Sequence, residues 1–169
     1  FDAMRRKEVF ATSGPKIAIR LFAGNYPNII TNTGLANKTL YMNGVPMGTN
    51  IDSNILVDNR LPLYAWAAKD KEGNNLERLQ IVKGWYENGV LKEFIFDVAC
   101  SDGNKPDSIT HRCPKISSEV NLKDCSIDEG KGNNQLATVW SDPNLDPSQD
   151  DYYYARALEV YSCRWTTWD

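Results

Sequence analysis

The single histidine is the first side chain to consider for catalysis. His111 lies between Thr110 and Arg112 in a polar stretch of the chain. As a general base it would need a nucleophile and an orienting carboxylate beside it. A histidine in a surface loop is the simpler interpretation, and one histidine rules out a histidine-rich metal centre.

The densest acidic group suggests calcium. Asp142, Asp146, Asp150 and Asp151 stand close together in the chain, and spaced oxygens in a loop can hold this hard cation. The spacing differs from that of an EF-hand, because the required glycine and the closing glutamate are missing. Aspartate before proline is also a common turn initiator. A calcium loop and an ordinary turn both remain possible at this point.

Aromatic side chains near the end of the chain suggest a stacking surface for a sugar. The candidates are Tyr152, Tyr153, Tyr154, Trp165 and Trp168. If the tyrosines lie in a strand, Tyr152 and Tyr154 face one way and Tyr153 faces the other. At least one side is then expected to be core, so sugar binding and ordinary packing both remain open.

Four cysteines predict two disulfides. Cys100, Cys113, Cys125 and Cys163 include no CxxC pair, and their spacing is poor for zinc. Cys113 and Cys125 bracket a polar segment, while Cys100 and Cys163 each end an apolar strand-like run. We therefore predict the pairs Cys113–Cys125 and Cys100–Cys163, formed in an oxidising compartment. Four buried thiols in a cytosolic protein are the alternative.

Length, charge and composition exclude several classes of protein. The chain has 169 residues, of which 41% are apolar and 24% charged, with a net charge of −3. These values fit one globular domain and give no basic surface for nucleic acid. No apolar run is long enough for a membrane helix. The glycines have neither Walker nor dinucleotide spacing, and no cofactor is predicted.

The apolar pattern changes period early in the chain. Residues 1–8 resemble part of a helix. Apolar and polar residues then alternate, as in half-buried strands, and Asn88-Gly89 is a hairpin signal. We predict an all-β sandwich of about seven strands after one short N-terminal helix. The clearest strands fall at 16–22, 61–67, 79–86, 91–100, 136–140 and 151–163. Residues 23–60 are predicted to form loops and short edge strands, and 101–134 a long surface loop held by a disulfide.

Several stretches together resemble a large bacterial family of unknown function. That family is related to the PHP (polymerase and histidinol phosphatase) superfamily of metal-dependent phosphoesterases. The first stretch, FDAMRRKEVFATSGP over residues 1–15, is similar to the family's DAMRRKEVYATSGPR. Further similar stretches lie at 44–48, 79–85, 140–147, 153–159 and 163–169.

The resemblance implies that this chain is part of a longer protein with two domains of different function. Residues 1–14 would be the last helix and exit strand of an upstream PHP-like domain, with the strand from Glu8 to Ser13 as the hinge. Residues 15–169 would be a β-sandwich C-terminal domain. The resemblance implies export, to the periplasm or beyond, and places the metal ligands upstream. No catalytic, cofactor-binding or metal residue is therefore assigned to this chain. We expect a non-catalytic accessory domain that packs on the upstream hydrolase-like domain; a carbohydrate- or calcium-binding module is the alternative.

Overall fold

The computed structural model describes most of the chain. Described residues are 1–24, 33–52, 55–116, 120–121, 123–126 and 130–163, with the backbone alone over 33–37. In chain order the elements are α1 (Asp2–Arg5), β1 (Ala18–Ala23), α2 (Thr33–Asn43), β2 (Val45–Pro46), β3 (Pro62–Ala68), β4 (Leu76–Glu87), β5 (Val90–Cys100), β6 (Gln135–Ser141) and β7 (Asp151–Glu159).

The strands form two antiparallel sheets. One sheet has four strands in the order β2-β1-β3-β6, and the other has three in the order β5-β4-β7. Alternate residues of each strand point between the sheets, so the core consists of residues spaced two apart. It includes Leu63, Ala65 and Ala67 from β3 and Leu79 and Ile81 from β4. The predicted all-β sandwich is confirmed.

The hairpin between β4 and β5 follows its sequence signal. Asn88 and Gly89 have φ values of 51° and 82°. Positive φ at both central residues matches the right-handed twist of the flanking strands, and asparagine and glycine tolerate it best. The two strands pair from Glu87 with Val90 up to Arg78 with Cys100. This long hairpin supplies two of the three strands of the second sheet.

Helix α2 departs from the prediction of loops and short edge strands over residues 23–60. Leu40 in α2 is completely buried against Phe22 and Tyr64 on the outer face of the four-stranded sheet. The neighbouring Tyr41 and Met42 are exposed. The sequence signal was weak because few apolar residues of this segment repeat at helical spacing. Tertiary burial of Leu40 supports the helix.

The cysteines pair differently from the prediction. The disulfides are Cys100–Cys113 and Cys125–Cys163, with Cα separations of 5.6 and 5.7 Å. The predicted Cys100–Cys163 and Cys113–Cys125 pairs are wrong. Cys100 ends β5, Cys163 follows β7, and β4 lies between these two strands. Two strand spacings amount to about 9.5 Å, which exceeds the roughly 7 Å limit between bridged Cα atoms.

The long loop after β5 turns back alongside β5, which accounts for the Cys100–Cys113 disulfide. The Asp97 amide donates to the His111 carbonyl oxygen at 2.9 Å, which lays residues 111–113 beside β5. The amide of Cys113 donates to Asp97 Oδ2 at 2.7 Å. These contacts place Cys113 next to Cys100, where the two cysteines form the disulfide. Each disulfide thus anchors part of the predicted loop at 101–134 to the second sheet or to the chain that follows β7.

The N-terminal segment lies on the surface. Helix α1 buries none of its residues, and residues 8–14 form no strand, so the predicted exit strand from Glu8 to Ser13 is absent. The backbone around Arg6 and Lys7 packs closely on Gly48, where a Cβ atom would collide with both. Gly48 also has a φ of 89°, which favours glycine. One glycine therefore allows the segment to approach the loop after β2.

Candidate functional site

A buried ion cluster joins the two sheets. Lys83 Nζ, on β4, donates to Asp142 Oδ2 at 2.6 Å and approaches Asp151 Oδ2 at 2.9 Å. It also donates to the carbonyl oxygen of Asn144 at 2.8 Å. The Tyr153 hydroxyl donates to Asp142 Oδ2 at 2.7 Å. The Lys83 ammonium thus has three acceptors, and the cluster is largely satisfied by its own members.

The cluster shifts the pKa of both proton donors. Burial alone would lower the pKa of Lys83, but hydrogen bonds and charge attraction from Asp142 and Asp151 raise it above its ordinary value. Burial raises the pKa of Tyr153, and the hydrogen bond to Asp142 raises it further. Lys83 is therefore a cation and Tyr153 a neutral donor at physiological pH. The Lys83 ammonium is thus held in place by its acceptors, and the pKa values of Lys83 and Tyr153 both move away from neutrality.

Three of the four aspartates proposed for calcium have contacts within the protein, and the fourth, Asp150, is exposed. Asp142 and Asp151 face the Lys83 ammonium, which lies between their carboxylates. Asp146 caps its own turn, because its Oδ1 accepts from the amide and the hydroxyl of Ser148 at 2.9 and 2.6 Å. Asp142 likewise accepts from the Asn144 amide at 2.8 Å. Among the described residues, no three His, Cys, Asp or Glu side chains are grouped to hold a metal ion.

A second polar network lies on the outer face of the three-stranded sheet. The Asp97 carboxylate, which is completely buried, accepts from Arg78 Nη1 at 2.9 Å and from Gln80 Nε2 at 2.6 Å. Arg112 Nη1 lies 3.6 Å from the same carboxylate. Gln80 Oε1 in turn accepts from Arg156 Nε at 2.8 Å. The buried Asp97 carboxylate is thereby linked to the exposed guanidinium of Arg156 through the side-chain amide of Gln80.

The tyrosines of β7 face as predicted. Tyr153 points between the sheets, while Tyr152 and Tyr154 are 41% and 42% exposed on the outer face. Their rings are nearly parallel, with 9° between the planes and 6.4 Å between the centroids. Residues Trp165 and Trp168, proposed for the same stacking surface, lie outside the described residues.

A groove runs along the open edges of β1 and β7. Its volume is about 1400 Å³, and residues 9–15 of the N-terminal segment form one wall. Among the described residues of its lining, three are cations and one is an acid, namely Lys7, Arg20, Arg156 and Glu159. Burial raises the pKa of Glu159, so this acid loses its charge at a higher pH than an exposed glutamate does. The groove therefore favours anions over cations.

His111 is part of the packing between loop and sheet. Its ring lies 5.2 Å from the Phe96 ring and 6.1 Å from the Phe94 ring, measured between centroids. The residue has a φ of 55° and closes a turn by donating its amide to the Asp107 carbonyl oxygen. These contacts fix the position of His111 in the loop.

Exposed apolar side chains gather on and beside the N-terminal segment. We call this group the N-terminal patch; its members are Phe1, Met4, Val9, Phe10, Tyr41 and Met42, which are 49–83% exposed. The Tyr41 hydroxyl donates to Glu8 Oε1 at 3.0 Å, so α2 and the segment are held together. The Arg5 guanidinium packs over the Phe1 ring at 4.6 Å. Such a concentration of apolar surface commonly marks an interaction site.

Comparison with known proteins places the chain in a family. A family model described as "Protein of unknown function (DUF3604)" matches residues 1–169. The chain belongs to the DUF3604 family. No curated protein and no solved structure matches it. Within the described part of this family member, no helix is long and apolar enough to cross a membrane.

Sequence reasoning missed the polar networks of this DUF3604 member for identifiable reasons. Lys83 stands at the same two-residue spacing as the apolar residues Leu79, Ile81 and Trp85. This position on the apolar face of a strand indicates a buried lysine. Its partner Asp142 lies 59 residues later, and only the sandwich brings the two together. The Asp97 network has no comparable signal, because its members come from three strands and one loop.

Proposed function

We propose that this chain is a non-catalytic accessory β-sandwich domain of a secreted bacterial protein. In this proposal it packs against an upstream PHP-like domain that acts as a metal-dependent hydrolase of phosphoesters. The observation that carries the proposal is the N-terminal patch, whose exposed apolar side chains surround the segment that resembles the end of the upstream domain. The activity of that domain rests on the family resemblance.

The state of the buried polar groups supports a scaffold role. Lys83 and Asp97, the central charges of the two networks, contact protein groups on neighbouring strands and loops. A catalytic base or nucleophile needs a face open to substrate and a pKa suited to its task. The networks instead connect β4, β5, β7 and the residue after β6. The Lys83 cluster joins the two sheets, and the Asp97 network joins the three strands of the second sheet to the loop at 111–113.

The patch has the composition of an interdomain surface. Phe1 is 83% exposed and Met4 70% exposed, although burying side chains of this size contributes roughly 1.5–3 kcal/mol each. Interfaces between domains of one chain bury such residues. Arg5, Arg6 and Lys7 follow Met4 and precede Val9 along the segment, so the proposed contact combines apolar and basic side chains.

Two disulfides support the secreted location. Both bridges close within the chain, and no described cysteine is free. Disulfides of this kind persist in oxidising compartments such as the bacterial periplasm. They are compatible with export.

The test compares this chain with the longer protein that contains it. We expect the longer protein to hydrolyse p-nitrophenyl phosphate with Mn²⁺ or Zn²⁺, and this chain alone to show no metal-dependent hydrolysis. Metal-dependent turnover by this chain alone would contradict the non-catalytic assignment.

A second measurement tests the docking surface itself. In the longer protein, Met4→Ser and Met42→Ser should increase proteolytic cleavage within residues 8–14, because the domains separate more often. Leu91→Ser is the matched control, since Leu91 is 59% exposed at the β4–β5 hairpin, far along the chain from the patch. Equal cleavage in the patch variants and the control would argue against docking.

A further inference from the structure

Three side chains on the outer face of β7 form a surface that is held in position. We call Tyr152, Tyr154 and Arg156 the β7 strip; they stand at alternate positions and are all exposed. The Tyr152 hydroxyl donates to Glu93 Oε1 at 2.7 Å on β5. Its ring lies over Gly84 on β4, where any Cβ atom would collide with it. Tyr152 is thus fixed from below and at its tip.

Arg156 is oriented by the buried network beneath it. Its Nε donates to Gln80 Oε1, and the Gln80 amide donates to the fully buried Asp97 carboxylate. Among the described residues, no hydrogen-bond partner is found for the two terminal nitrogens of Arg156. A guanidinium anchored through Nε presents a planar pair of donors, which matches a carboxylate or sulfate group.

The groove beside the β7 strip is also lined by cationic side chains. Tyr154 and Arg156 line the groove together with Lys7 and Arg20. In the part of the chain that the structure describes, Glu159 is the one acid of this lining. Its volume of about 1400 Å³ exceeds the roughly 300–1,000 Å³ of typical small-molecule pockets. The size favours an extended ligand, and the charge favours an anionic one.

We propose that the β7 strip and the adjoining groove bind an acidic sugar chain. The apolar C–H face of a sugar ring packs against the π face of a tyrosine, which carries partial negative charge. A carboxylate or sulfate on the sugar then pairs with the terminal nitrogens of Arg156. A single-stranded nucleic acid would also use stacking and cations, and tighter binding of oligo-dT is therefore the competing outcome of the test.

The experiment titrates the full chain with four probes by isothermal calorimetry. The probes are an oligogalacturonate, a sulfated heparin oligosaccharide, a neutral cello-oligosaccharide and oligo-dT. We expect saturable binding of the oligogalacturonate or the heparin oligosaccharide, and the one that binds identifies the anionic group. Arg156→Gln and Tyr154→Ala should each weaken that binding at least about tenfold, the scale of one charge-assisted hydrogen bond or one aromatic contact.

Control variants distinguish binding by the β7 strip from an effect of any exposed arginine or tyrosine. Arg5→Gln and Tyr161→Ala change exposed residues that do not line the groove, and both should bind like the unmodified chain. Arg156→Lys keeps the charge but loses the planar donor pair, so it should bind less tightly. Equal thermal midpoints would show that each variant is folded.

Four outcomes would overturn the proposal. They are no binding of either acidic sugar, undiminished binding by both strip variants, equal affinity for the neutral oligosaccharide, and tighter binding of oligo-dT than of either sugar.

Discussion

Lys83 links the two sheets through charge. It belongs to β4 of the three-stranded sheet, and Asp142 directly follows β6 of the four-stranded sheet. Removing one partner of a buried pair leaves the other charge without compensation, which costs more than the pair itself contributes. The contribution of Lys83 to folding is therefore seen best when Lys83 alone is changed.

We expect Lys83→Met to lower the free energy of unfolding by about 3–5 kcal/mol, because two carboxylates stay buried without their cation. Urea unfolding followed by circular dichroism measures the change. Lys92→Met is the matched control. Lys92 pairs with Glu87 at the surface, with side chains 47% and 42% exposed. Lys92→Met should therefore change the free energy of unfolding by no more than about 0.5 kcal/mol. Similar losses in the two variants would show that the buried cluster does not stabilise the fold.

The same cluster predicts a dependence on alkaline pH. The pKa values of Lys83 and Tyr153 are both raised on folding. For a raised pKa, the stabilisation is complete below the unfolded value, about 10 for both side chains, and is lost as pH rises through the folded value.

Unfolding free energies measured from neutral to strongly alkaline pH should therefore stay level and then fall above about pH 10. The Tyr153→Phe variant should be less stable at neutral pH, because the hydrogen bond to Asp142 is lost. Its free energy of unfolding should also fall less steeply as the pH rises above about 10. A Tyr153→Phe curve parallel to that of the unmodified chain would mean that Tyr153 does not contribute to the alkaline transition.

Individual residues were predictable where local pattern decides their environment. Tyr153 was expected on the opposite face from Tyr152 and Tyr154, and the period of two places it there. Asp142 before proline was expected to initiate a turn, and it accepts from the Asn144 amide. The partners of Lys83 and Arg156 could not be predicted, because they depend on which strands become neighbours.

At the level of elements, strands were easier to predict than their order. Alternating apolar residues marked β3, β4 and β5. Nothing in the sequence indicated that β4 lies between β5 and β7. That order separates Cys100 from Cys163 and makes the predicted pairing wrong. Helix α2 was missed because its support comes from burial of Leu40 on the outer face of the other sheet.

The disulfide pairing can be checked directly. Peptide mapping under non-reducing conditions should give Cys100 linked to Cys113 and Cys125 linked to Cys163. The loops close over sequence separations of 13 and 38 residues, so the bridges should contribute about 3 and about 4 kcal/mol by restricting the unfolded chain. Fragments that link Cys113 to Cys125 would contradict both the loop path and the sheet order.

At the scale of the whole molecule, the sandwich is open on one side. Within the described residues, β7 pairs with β4 alone, and β1 pairs with the two-residue β2 only at Phe22 and Ala23. Unpaired strand edges invite association with other chains. Residues 9–15 lie along this side and form one wall of the groove. The N-terminal segment thus partly covers the open side while leaving the groove accessible.

The place of residues 1–7 in the molecule gives a final prediction. Helix α1 buries no residue, and the contacts of this stretch are with the surface, chiefly the backbone packing of Arg6 and Lys7 on Gly48. Deleting residues 1–7 should therefore change the free energy of unfolding by less than about 1 kcal/mol, as for other surface changes. Thermal and urea unfolding of the truncated chain measure this, with a deletion of residues 1–15 as the comparison. The longer deletion removes the wall of the groove and exposes apolar residues of β1 and β7, so it should be clearly less stable. A loss of more than roughly 3 kcal/mol in the shorter deletion, the scale of removing a large core side chain, would mean that α1 belongs to the sandwich and that the domain boundary lies before residue 1.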